Sequence, residues 1–164
     1  MKRQISLATL IAAAALIVGC ASPAPADYSA EKPLLDLKTY FNGEFVAHGL
    51  FTDRSGKVAR RFVVQMTGSW QGKNGTLDER FTYSDGTTER RVWRLTDEGN
   101  AQGVAAGNAL NWRYTLKLPV DGKVYEVQFD DWMYLMDDRV MLNKAVMSKF
   151  GIRLGEVTLS FYKK

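Results

Sequence analysis

The stretch Leu77-Asp78-Glu79-Arg80-Phe81-Thr82-Tyr83-Ser84-Asp85-Gly86-Thr87-Thr88-Glu89-Arg90-Arg91-Val92-Trp93 decides the fold. Two runs of alternating character flank Ser84-Asp85-Gly86, and glycine is the residue that accepts a positive φ without steric cost. A three-residue hairpin loop with Gly86 in the left-handed position sets Tyr83 across from Thr87. Counting outward, Glu79 falls opposite Arg91 and Leu77 opposite Trp93, which pairs opposite charges and an apolar with an aromatic side chain. A two-residue loop would instead set Arg80 against Arg91, a repulsive pair. The first register leaves one face carrying Leu77, Glu79, Phe81, Tyr83, Arg91, Trp93 and Leu95, apolar with an ion pair inside it.

The same grammar extends in both directions. Strand-like runs are expected at 44–52, 58–70, 75–83, 88–95, 109–118, 123–133, 139–148 and 152–162. Asp53-Arg54-Ser55-Gly56 and Val120-Asp121-Gly122 repeat the glycine-terminated turn, and Asp137-Asp138, without a glycine, reads as the turn between two further strands. Only Leu34, Leu37 and Phe41, after Pro33, keep a helical spacing, and Asn42-Gly43 ends that short helix. Many short strands with regular turns and one helix predict an all-β, antiparallel sandwich or barrel of about eight strands.

The amino terminus is of a different kind. Lys2 and Arg3 precede an apolar stretch from Ile5 to Val18, shorter than the roughly 20 residues that a spanning helix needs. A basic start, a short apolar run and small residues at its end describe a secretory signal over residues 1–19. Ile17-Val18-Gly19-Cys20 resembles the bacterial lipobox, in which the cysteine becomes the first mature residue and carries acyl chains. Lipidation at Cys20 is therefore expected. Residues 20–33, with Ser22, Pro23 and Pro25, read as a flexible tether to a single domain at 34–164. A residue other than aspartate at position 21 implies, by the same resemblance, sorting to the outer membrane, facing the periplasm.

Charge and composition exclude several classes. The chain has 22 Lys+Arg and 18 Asp+Glu; without Lys2 and Arg3 the net charge is about +2, spread along the chain, so no nucleic-acid surface is expected. Cys20 is the only cysteine, which leaves the domain without a disulfide, a thiol nucleophile or a thiolate metal site. His48 is the only histidine and reads as a hydrogen-bonded structural residue; a transition-metal site wants three or four ligands. Serine has no nucleophile-elbow context. The doublets Asp78-Glu79 and Asp130-Asp131 send neighbouring carboxylates to opposite faces of a strand, a poor arrangement for acid–base work. No catalytic residue, metal or cofactor is expected.

Four blocks carry a resemblance. They are Gly43-Glu44 to Phe51 with Gly56-Lys57-Val58; Leu77-Asp78-Glu79 through Arg91-Val92-Trp93; Gly107-Asn108-Ala109-Leu110 with Trp112, Tyr114 and Asp130-Asp131-Trp132-Met133; and Asn143, Met147 to Gly151 with Gly155-Glu156-Val157. Together they resemble a family of small Gram-negative lipoproteins of unassigned function, with a lipocalin-like (calycin-like) barrel. The resemblance implies an outer-membrane or periplasmic lipoprotein, thought of alongside lipid-modifying enzymes, and supplies no catalytic residues. Between Leu95 and Gly107 the chain is shorter than that pattern, as if a strand were abbreviated, which bears on barrel closure.

In an eight-stranded barrel the interior holds side chains or one modest ligand. Glu79, Phe81, Tyr83, Arg91, Trp93, Trp112, Tyr114, Phe129 and Trp132 are the expected cavity lining, with core packing as the alternative for the same aromatics. The function expected is binding of a lipid or other apolar small molecule by a membrane-anchored, non-catalytic barrel. Docking of a membrane or lipid-modifying enzyme, or weak hydrolysis by an inward carboxylate, are the alternatives. A hollow interior favours the first; a filled one favours docking.

Overall fold

Period-two alternation builds the strands. In a computed structural model, which describes residues 22–96, 102–120 and 122–164, nine strands follow one another: β1 Gly43–Asp53, β2 Val58–Gln71, β3 Asn74–Tyr83, β4 Thr88–Thr96, β5 Gln102–Ala106, β6 Ala109–Val120, β7 Lys123–Leu135, β8 Val140–Lys149 and β9 Ile152–Lys163. On β2, Phe62, Val64 and Met66 are buried while the residues between them face outward; Val127, Phe129 and Asp131 repeat this on β7. The expected signal, Cys20 and its lipidation lie outside the described residues.

The strands form one antiparallel sheet in the order β4-β3-β2-β1-β9-β8-β7-β6-β5. Pairing of β1 with β9, Phe45 against Lys163 through Asp53 against Gly155, brings the two halves of the chain together. The sheet curls into a barrel whose two edges, β4 and β5, are joined through residues 97–101. Every neighbouring pair is antiparallel, so β4 and β5 run in the same direction: β4 serves the β3 edge and β5, five residues long, serves the β6 edge. β5 is the abbreviated strand, and it was not among the expected runs. Among the described residues it pairs with Ala109–Arg113 of β6 alone, and further along β6 it is side chains that meet β4. Trp93 of β4 and Tyr114 of β6 meet edge-on there, their ring centroids 5.9 Å apart.

One end of the barrel is plugged. The expected helix shortens to α1, Leu37–Tyr40, with the Asp36 carboxylate accepting from Thr39 N at 2.7 Å as its cap. Leu34 is not on its apolar stripe but 60% exposed. Tyr40 and Phe41 drop into the core against Phe45, and Trp70 Nε1 donates to the Phe41 carbonyl at 2.9 Å. Gly68 permits that approach, because a Cβ at this position would collide with the same carbonyl. On the outer wall a 3-10 turn, Pro25–Tyr28, packs against β5 and β6, and Tyr28 lies against Trp132 and Tyr134.

A hollow barrel as the candidate functional site

Below its open end the barrel encloses a cavity of about 590 Å³, within the range of small-molecule sites. Phe41 closes the floor, and the wall is mainly aliphatic and aromatic. The wall carries a small residue where a large one would fill the space: Ala145 on β8, which is buried and lines the cavity. The opposite end, which carries the β1–β2, β3–β4, β6–β7 and β8–β9 turns, is where Arg60 and Glu89 remain 38% and 40% exposed.

The β3–β4 hairpin has the register expected of it, with Leu77 against Trp93, Glu79 against Arg91 and Gly86 at φ +83°. The ion pair expected from that register is absent. Arg91 turns along its own strand to Glu89, with bonds of 2.6 and 2.9 Å, and lies over the Phe81 ring. Neighbouring same-face positions on a strand let a long guanidinium meet Glu89 nearer the mouth, where both ions keep some water. Glu79 is left with the indole of Trp93, whose Nε1 donates at 2.9 Å. Burial pushes the Glu79 carboxyl up to about 7, against the lowering effects of that bond and of Arg91; the charges of Glu89 and Asp131 add to the rise.

A second polar group stands on the β6–β8 wall. Asp131 accepts from Tyr114 Oη at 2.9 Å and from Asn143 Nδ2. Desolvation raises its carboxyl to about 6 despite these bonds, and Tyr114 is raised in turn, first by burial and then by Asp131. Asp130, one residue away, points outward to Asn111 and Arg113. Trp112 also lines the cavity, and its buried Nε1 finds no acceptor among the described residues. The interior thus holds two carboxyls titrating near neutrality, while its nearest guanidinium is committed to Glu89.

At the rim, Tyr83 Oη donates to Glu89 at 2.7 Å, and burial followed by that bond raises the phenol to about 12. Arg60 stacks 3.6 Å from the Tyr83 centroid and pairs with Asp85 at 2.7 Å. The result is a balanced, interlocked set of charges.

The structure brings Glu79, Phe81, Tyr83, Arg91, Trp93, Trp112, Tyr114 and Phe129 to this one cavity. Trp132 is elsewhere. Asp131 faces inward, so its neighbour must face out, where Trp132 stacks on Tyr134 at 5.9 Å. Arg60 and Glu89 also line the cavity, outside the expected lining. Period two would have found them: Arg60 precedes Phe62 and Val64 on the inner face, and the hairpin register sets Glu89 against Phe81. His48 points outward and is exposed, with no hydrogen bond to another described residue, so the structural role expected of it is not seen. Among the described residues no three His, Cys, Asp or Glu side chains converge as a metal site.

Comparison with known proteins places the fold and the family. No curated protein matches the chain. Among solved structures, a redesigned β barrel, mFAP1, bound to DFHBI, is similar at 12% identity and a TM-score of 0.50, over 79% of this chain and 100% of that one. At that identity the likeness concerns the fold alone. Residues 14–163 match the model of a family described as "Protein of unknown function (DUF3833)", and the chain belongs to that family.

Proposed function

We propose that this protein is an exported lipoprotein, held at the outer membrane by acyl chains on Cys20, whose barrel binds an apolar small molecule without transforming it. The observation that carries the ligand reading is the cavity of about 590 Å³ with one plugged and one open end. A barrel serving only as a docking surface has no need of a hollow core, which costs stability through lost contacts. The lipobox-like Ile17 to Cys20 and the short apolar stretch before it support export and anchoring.

The polar groups narrow the ligand. Glu79 and Asp131 face the cavity as acceptors, and among the described residues no free cation lies beside them to neutralise an acid. A fatty-acid carboxylate seated at that depth would meet two acidic groups. An apolar body carrying a hydroxyl, amide or amine fits better, donating to Glu79, whose Oε1 receives no bond from another described residue. The mFAP1 structure, bound to DFHBI, offers a barrel of this fold holding a small molecule.

Native mass spectrometry of the protein purified from the periplasm tests the reading. A discrete added mass that extracts into organic solvent supports it. A clean apo mass, unshifted when envelope lipids are offered, would sink it and favour docking.

A further inference from the structure

The open end of the barrel carries a second feature that the cavity does not explain. The β8–β9 hairpin turns through Phe150-Gly151, with Lys149 paired to Ile152. Both turn residues have positive φ, 51° at Phe150 and 75° at Gly151. Such two-residue turns favour Asn, Asp or Gly, and a bulky L-residue in the left-handed region is strained. Phe150 accepts that strain and gains no burial for it, since it is 87% exposed. Folding does not account for an aromatic ring here.

Its neighbourhood is of the same character. Val124, at the tip of the β6–β7 hairpin, is 67% exposed, and Ile152 is 53% exposed. Lys149 bridges the two hairpins, its Nζ 4.4 Å from the Tyr125 centroid and 5.2 Å from that of Phe150. Of the described carboxylates nearby, Glu126 is engaged with Lys117, and Glu156 with Arg153 and Lys144. Lys149 and Lys123 have no carboxylate partner among the described residues. Exposed aromatic and aliphatic side chains beside two ammonium groups that no described carboxylate pairs match a bilayer interface, where rings enter the acyl boundary and cations meet anionic headgroups.

We infer that the tip formed by Phe150, Ile152 and Val124 inserts into the surface of an anionic lipid bilayer, with Lys149 and Lys123 on its phosphates, setting the open end of the barrel against the membrane. This contact is separate from any acyl anchor and stands whether or not the cavity holds a ligand. Hydrogen–deuterium exchange tests it on the full chain, with phosphatidylcholine–phosphatidylglycerol vesicles as the probe, because the readout is local and unaffected by how the amino terminus attaches. The turn amides at 149–152 and 123–126 are expected to slow on vesicles, and to slow less on phosphatidylcholine alone. Phe150→Asn suits the left-handed turn, so it keeps the fold, and it is expected to lose that protection with no fall in Tm. Equal exchange with and without vesicles in the unsubstituted chain, or undiminished protection in Phe150→Asn, overturns the inference and leaves a protein partner as the occupant. Equal protection on both lipid mixtures overturns the role given to the lysines.

Discussion

Trp93 Nε1 donates 2.9 Å to Glu79 Oε2 inside the barrel, so the acid that faces Arg91 across the ladder is held by an indole instead. A neutral donor does less than a cation to offset burial, and the carboxyl rises to about 7. A raised acid binds more protons folded than unfolded between its two pKa values, so stability falls as pH rises through that window. The fall should run from about pH 4.5 to 7 and be on the order of 3 kcal/mol. Glu79→Gln keeps the shape and removes the charge. Urea denaturation at pH 5 and pH 8 should show the variant flatter across the window and more stable than the parent at pH 8. A parent whose stability rises over this interval contradicts the assignment.

Asp131 adds a second step at lower pH. Its carboxyl is raised to about 6, so its share of the stability loss is complete by pH 7. Replacing it by leucine strands the Tyr114 hydroxyl, at about 1–3 kcal/mol, and leaves the Asn143 amide with the Trp132 carbonyl alone. Asp131→Leu should therefore be severely destabilised, and Asp131→Asn much less so. Thermal denaturation of the pair checks the order; equal loss would mean that volume, not hydrogen bonding, governs the site.

The barrel was legible where one constraint excluded the alternatives. A glycine-ended loop and a charged pair admitted one count for the β3–β4 hairpin, and Asp137 does close the β7–β8 turn, accepting from Arg139 N and Val140 N. β5 was not legible because Gln102-Gly103-Val104-Ala105-Ala106 has no bulky alternation to mark a face. Trp132 misled because aromatic character, unlike parity, does not say which side a residue faces. Hollowness was out of reach for another reason: it depends on how far rings from different strands extend past Ala145, a sum over the whole section. The packing of Tyr28 on Trp132 joins positions over a hundred residues apart, beyond any local pattern.

The floor of the cavity should be separable from its walls. Phe41 is buried against Phe45 and Phe161, and its carbonyl holds Trp70. Phe41→Ala should cost about 3–5 kcal/mol and open the plugged end. The carbonyl is unchanged, so the Trp70 bond can persist, and loss should concentrate in amide exchange of residues 37–42. Uniform destabilisation with no local signature would mean that α1 does not plug the barrel as an independent element.

Filling the cavity gives the sharpest separation between ligand binding and structural roles. Ala145 on β8 lies buried on the inner wall beside Val157 and Asp131, with its methyl toward the void. Phenylalanine there adds a ring to space that no side chain occupies, so overpacking should be mild, within about 1–3 kcal/mol. Any molecule carried in the cavity would then compete with that ring. Native mass spectra of Ala145→Phe should lose the added mass while circular dichroism keeps the β spectrum. If the parent carries an extractable mass and the variant keeps it at equal occupancy, the molecule sits elsewhere, and the outer groove lined by His48, Leu50 and Leu142 becomes the place to look.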